Sequence, residues 1–194
     1  MFNVDWAVRA RSPGGFVYAS PALSEPRASA AQTSRNNRLY PLVVVALATG
    51  ARESELLGLR WQDIDLGGGK AIVQKSKNGE RRALAITGPA VEVLASLGKV
   101  RRIGADLVFA IGRGQATFPR KAWEAALRQA ELDDFRFHDL RHAFASYLAM
   151  SGASLAELTE ALGHKTLAMV KRYAHLTEAH TSGVVKRMTE RFLS

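Results

Sequence analysis

No cysteine occurs among the 194 residues of this chain, which removes disulfide frameworks, thiolate nucleophiles and cysteine-ligated zinc from consideration. The absence fits a reducing compartment. Long apolar runs are missing too: the longest, Leu42 to Ala48, falls well short of the roughly 20 residues that span a bilayer. Met1 to Ser12 lacks the apolar centre of a signal peptide. There is no internal repeat and no low-complexity tract. Together these absences predict a soluble cytoplasmic protein without membrane contact. Acidic residues are in short supply, with 18 Asp and Glu against 27 Lys and Arg for a net charge of +9. A chain this basic, with a sequence pI of about 10.2, usually meets a polyanion, of which nucleic acid is the commonest. A hydrophobic fraction of 47% supports a packed core and disfavours wholesale disorder.

What is present reads in order. Residues 1–23 carry Pro13, Gly14-Gly15 and Pro21 without periodicity, as a leader or loosely packed arm. Ser24 can cap a helix running to Ser34, and Leu39 to Ala48 is helical by length, ended by Thr49-Gly50. Arg52 to Leu59 places Leu56, Leu57 and Leu59 on one helical face. Trp61 to Leu66 turns into a strand. Lys70 to Gln74 and Arg82 to Ile86 are extended runs around Asn78-Gly79, a strong hairpin signal. Leu107 to Ala110 is expected as a third, edge strand before the glycine-rich turn at Gly112 to Gly114. Helices are then expected over Ala122 to Glu131, His138 to Met150 with Leu140, Phe144, Tyr147 and Leu148 as a buried stripe, Leu155 to Leu162, Leu167 to Tyr173, and Glu178 to Phe192. The fold class is α+β, mainly α-helical, with a small three-stranded antiparallel sheet.

Several residues bear chemistry. Arg52 follows a helix break and opens the next helix, where a cation opposes the helix dipole. A guanidinium there can instead fork onto phosphate oxygens. Lys77 lies at the edge of the hairpin turn, where lysines are ordinarily solvated; on a hairpin reaching DNA it could protonate a leaving oxygen. His138 and Arg141 are one helical turn apart and share a side of the helix. His142 completes an i, i+4 histidine pair, but Asp139 stands where the metalloprotease signature has glutamate, and Arg141 would repel a cation. No metal site is expected. His164 follows Gly163 at a helix exit, a common carbonyl-capping position. Tyr173, between Lys171-Arg172 and Ala174-His175, reads alone as packing, since a phenol with a pKa near 10 is a poor nucleophile without attendant cations.

Taken in this order and context, these residues resemble the tyrosine recombinase (phage integrase) family. Thr49 to Trp61 matches the family's Thr-Gly-x-Arg-x-Ser-Glu-Leu-Leu-x-Leu-Arg-Trp, and Phe137 to His142 its Phe-His-Asp-Leu-Arg-His. Leu162 to His164 and Tyr173 to Leu176 match Leu-Gly-His and Tyr-x-His-Leu. The resemblance covers about Ser24 to Arg187. It implies that residues 24–194 form the family's catalytic domain, with Arg52, Arg141 and His164 holding a scissile phosphate. It further implies Lys77 as general acid, His138 as acid/base assistant, Tyr173 as the nucleophile forming a 3′-phosphotyrosyl link, and Glu55 as support for the first arginine. Lys75, Arg81, Arg82, His142, Lys165, Lys171 and Arg172 are then expected as DNA contacts. The resemblance also implies that neither ATP nor a divalent metal is needed. The implied partner is double-stranded DNA at a specific recombination site, bound by a homotetramer whose subunits are monomers when free, in a prokaryotic or phage setting.

Two departures accompany the match. Members usually carry an amino-terminal helical domain that clamps the opposite face of the DNA, whereas only residues 1–23 precede the matched segment, so that domain is expected to be absent. The returning strand has Ala85 near the place of the family's common proline, and Lys75 lies two residues from Lys77 on the same strand face, so both lysines stand as candidates for the general acid. Alternatives to a recombinase are a DNA-binding remnant without full recombination, and a type IB topoisomerase with the same chemistry. The contexts of Arg52 and His164 favour the recombinase.

Overall fold

The computed structural model describes residues 38–74, 81–102, 104–110 and 115–193. The expected leader, the helix from Ser24, the Asn78-Gly79 turn and the glycines at 112–114 lie outside them. The described residues form two compact units, divided between Ala143 and Phe144.

In the first unit, helix α1 (Leu39–Thr49) is apolar on almost every side and accordingly buried nearly all round. Pro41 sits in its first turn, where no backbone N–H is required. The helix stops at Gly50, whose φ of 60° is left-handed and whose N–H donates to the Ala46 carbonyl. A second short helix, α2 (Glu53–Leu57), follows at once. The sheet has the order β1 (Ile64–Asp65), β2 (Lys70–Val73), β3 (Arg82–Ala85), antiparallel throughout. Its register pairs Ile64 with Ala71 and Val73 with Arg82. Ala71, Val73, Leu84 and Ile86 turn inward by the strand's alternation.

The third strand is therefore Ile64–Asp65 and not Leu107 to Ala110, a correction to the sequence expectation. Leu107 makes only an isolated bridge to Arg60, because the chain turns directly into a tight helical turn at Trp61–Asp63 and offers no second extended residue to pair with. Helix α3 (Pro89–Lys99) has no counterpart among the expected elements. Pro89 opens it after Gly88 at φ 52°, and Ala90, Leu94 and Leu97 are its buried face. It packs on α1. Helix α4 (Arg120–Gln129) sends Ala126, with Ala130 just beyond it, against Leu39. Phe118, Trp123 and Phe137 meet edge to face beside it.

Helix α5 (Asp139–Met150) contains the division between the units. Its expected stripe is partly right. Leu140 is buried, but the other fully enclosed apolar positions are Ala143, Ala145 and Ala149, while Phe144, Tyr147 and Leu148 are half-buried. Small residues let neighbouring backbone come close, which a pattern read from large side chains does not register.

In the second unit, α6 (Leu155–Leu162) starts at Ser154, whose hydroxyl accepts from the Glu157 N–H while Glu157 accepts from the Ser154 N–H. Gly163 ends it in the left-handed region. The expected helix over Leu167 to Tyr173 is instead two tight turns, Leu167–Met169 and Lys171–Tyr173. Helix α7 (Ala174–Phe192) then begins four residues before the expected Glu178. Ala145, Ala149, Leu158, Leu162, Val170 and Tyr173 form this unit's core. Among the described residues no helix is long and apolar enough to cross a membrane.

Candidate active site

The first unit builds its chemistry around the break between α1 and α2. Thr49 fixes the break from both sides: its hydroxyl donates to the Val45 carbonyl at 2.6 Å and accepts from the Ala51 N–H at 3.2 Å. Gly50 takes the left-handed conformation that L side chains resist. Its carbonyl receives the Arg141 guanidinium, Nη1 donating at 2.6 Å. Arg141 is only 4% exposed, and a charge so enclosed requires hydrogen-bond partners of this kind.

Arg52 lies two residues beyond Gly50. It is the residue before α2, with extended backbone, and not within the first helical turn as the sequence suggested. Its N–H donates to Glu55 Oε2 at 2.9 Å, half of a capping box, since arginine has no acceptor for the reciprocal bond. Its Nη1 donates to Glu55 Oε1 at 2.7 Å. Glu55 is buried, and from β3 Arg82 Nη2 donates to its Oε2 at 2.7 Å. Burial pushes the Glu55 pKa upward. The hydrogen bonds from Arg82 and from the Arg52 backbone, the charge of Arg82 and the Arg52 guanidinium outweigh it and hold the carboxyl below its ordinary value.

The entry to α5 is set by Asp139, whose carboxylate accepts from the Arg136 N–H at 2.8 Å. This puts His138 at an exposed helix start and Arg141 inside, one turn later. The His138 and His142 rings meet edge to face with centroids 5.2 Å apart. Among the described residues no three His, Asp or Glu side chains are grouped to hold a metal ion.

The second unit carries His164 and Tyr173. The His164 N–H donates to the Thr159 carbonyl at 2.9 Å across Gly163, fixing the histidine at the exit of α6, half-buried. Tyr173 is 4% exposed, packed in the core of its own unit at the end of the second tight turn, its N–H on the Val170 carbonyl at 2.9 Å. Lys165, Lys171 and Arg172 are exposed, as is Arg81 in the first unit. Lys75 and Lys77 lie outside the described residues.

The structure thus brings Arg52, Glu55 and Arg82 into one ion cluster and joins Arg141 to the turn beside it. Sequence reasoning did not find the Arg82–Glu55 pairing. The only available signal was a basic residue on a strand opposite an acidic helix start, which many surface arginines satisfy.

Comparison with known proteins supplies a context for this arrangement. The model of the phage integrase family matches residues 26–180. The integrase of Salmonella phage P22 is 36% identical over 161 residues, covering 73% of this chain and 40% of that relative. The chain thus spans less than half the length of that relative. Among solved structures, the catalytic domain of bacteriophage HP1 integrase aligns with a TM-score of 0.65 at 28% identity, covering 86% of this chain and 92% of that domain. The XerH site-specific recombinase, solved as a post-cleavage complex on palindromic difH substrate, aligns with a TM-score of 0.62 at 25% identity, covering 84% of this chain and 47% of that one.

Proposed function

This chain belongs to the phage integrase family, and we propose that residues 24–194 act as the catalytic domain of a tyrosine site-specific recombinase, cutting and rejoining double-stranded DNA. The observation that carries the reading is the gathering of cations at the α1–α2 break. Arg52 is braced on Glu55, and Arg141 is anchored on Gly50. Held guanidinium groups cost no reorganisation when charge develops on a phosphate, which is how such groups accelerate phosphoryl transfer.

The Tyr173 phenolate oxygen attacks phosphorus, an O–P bond forms, and the bond from phosphorus to the 5′ oxygen breaks. Arg52, Arg141 and His164 hold the non-bridging oxygens. The leaving 5′ oxygen takes its proton from Lys77, or from Lys75 two residues earlier, and His138 assists in removing the phenol proton. The phosphotyrosyl bond retains the energy of the cleaved one, so a 5′-hydroxyl from a second DNA strand reverses the step without ATP.

The partner is DNA at a specific recombination site, held by a homotetramer that assembles from monomers on the DNA, in the cytoplasm. Exposed Val185, Met188 and Phe192 on α7 give an apolar face suited to a neighbouring subunit. Formation of a metal-independent covalent adduct on a nicked duplex tests the proposal.

A further inference from the structure

Arg82 stands apart from the other basic residues expected to contact DNA. The exposed ones, Arg81, Lys165, Lys171 and Arg172, face solvent, as expected of residues that meet a DNA backbone. The Arg82 side chain is 11% exposed and spends Nη2 on Glu55. We propose that Arg82 is a positioning residue of the cleavage site, acting on the scissile phosphate through Glu55 and Arg52 and not as a contact to DNA. The inference rests on the functional reading above.

The geometry gives the reason. The side chain of Glu55 is 1% exposed and its two oxygens receive three donors: Arg52 Nη1 on Oε1, and the Arg52 N–H with Arg82 Nη2 on Oε2. Clamped at both oxygens, the carboxylate cannot swing, and so fixes the direction of the Arg52 guanidinium, whose other donors remain for a phosphate. Charge supplies the second half of the argument. One carboxylate against Arg52 alone would cancel the cation it positions. With Arg82 added the cluster of three carries a net +1, so Arg52 is braced without losing its pull on an anion. Arg82 also ties α2 to the sheet, since it lies on β3 opposite Val73 of β2.

The test compares the wild-type chain with Arg82→Gln and Arg82→Lys. In the free protein, nitrogen relaxation at Arg52 Nε reports side-chain order. On DNA, nicked duplexes selected by binding from a random-sequence pool report adduct formation at saturating DNA, with either a normal phosphate or a neutral methylphosphonate at the break. With Arg82→Gln, Arg52 loses order, and cleavage at the phosphate slows about tenfold, the usual scale for a partner that orients a functional group. The methylphosphonate, which has no charge for Arg52 to balance, is cleaved at close to the wild-type rate. The salt dependence of binding stays unchanged, and Arg82→Lys recovers part of both the order and the rate. A general loss of fold would slow both substrates alike. The inference is overturned if Arg52 keeps its order in Arg82→Gln. It is equally overturned if the salt slope drops by about one with the saturating rate intact, the mark of a lost phosphate contact. If Arg82→Gln does not fold, Arg82→Lys decides by the same readouts. A wild-type chain that forms no adduct overturns the functional reading instead, and the relaxation of Arg52 still decides whether Arg82 orders it.

Discussion

Arg141 donates through Nη1 to the carbonyl oxygen of Gly50 at 2.6 Å, although the two are separated by 91 positions in sequence. The bond explains why a glycine ends α1. A left-handed residue turns its carbonyl out of the helical direction, and that carbonyl is the acceptor a buried guanidinium needs. The turn that ends the helix is also the mount for one of the phosphate-binding candidates.

Gly50→Ala should therefore do two things. Forcing an L side chain to φ 60° costs about 1–2 kcal/mol. For a chain of this size a loss of 1 kcal/mol corresponds to a fall in Tm of roughly 2–4 °C. Any shift of the carbonyl also weakens this anchor of Arg141, so cleavage should fall by more than DNA binding. Thermal unfolding and single-turnover cleavage check the pair. An unchanged Tm would mean that the turn tolerates a side chain.

Glu55 predicts the acid behaviour of the first unit. A carboxyl whose folded pKa lies below its ordinary 4.5 contributes stability that is complete above that value and disappears as pH falls through the folded pKa. Urea midpoints of wild type and Glu55→Gln should differ most above pH 4.5 and approach each other as pH falls below it. A gap that stays constant into strong acid would show that the ion cluster contributes nothing that titrates.

Glu131 just beyond α4 has φ 54°, and its placement is one the sequence does not announce. Where α1 and α6 stop at glycines, α4 stops at a residue that resists the conformation. Glu131→Gly should remove a cost of about 1–2 kcal/mol while adding chain entropy worth about 0.5–1 kcal/mol. The expected net effect is a small gain in stability, read as a higher urea midpoint. A loss would show that the Glu131 side chain contributes more than its backbone costs.

The sequence disclosed most where local rules decide. Helix α6 has the expected bounds because Ser154 and Gly163 punctuate it, and β2 and β3 were legible as extended runs on either side of the hairpin signal Asn78-Gly79. It disclosed least where distant partners decide. Leu107 reads as strand by composition, but only Arg60 is there to pair with it. Helix α3 hides behind Gly88-Pro89, a pair that reads as a turn and here marks a helix start. The site follows the same division. Its residue types sit in local motifs, whereas the pairing of Arg82 with Glu55 spans 27 positions and depends on how β3 meets α2.

Tyr173 gives the most direct test of mechanism. On a nicked suicide duplex, the broken strand diffuses away after attack and traps the phosphotyrosyl protein, so the adduct should accumulate in the presence of a chelator. Tyr173→Phe keeps the ring that packs with Leu158, Leu162 and Val170 and removes only the oxygen, so the fold and DNA binding should persist while the adduct vanishes. Arg52→Ala and Arg141→Ala should slow cleavage by about two to three orders of magnitude, the effect of removing a donor aimed at developing charge. A 5′-thio leaving group needs little protonation. It should therefore rescue the variant that lacks the general acid and leave the arginine variants slow. Rescue of Lys77→Ala identifies Lys77 as the acid; rescue of Lys75→Ala alone assigns the role two residues earlier. An adduct that survives in Tyr173→Phe would move the nucleophile elsewhere in the chain.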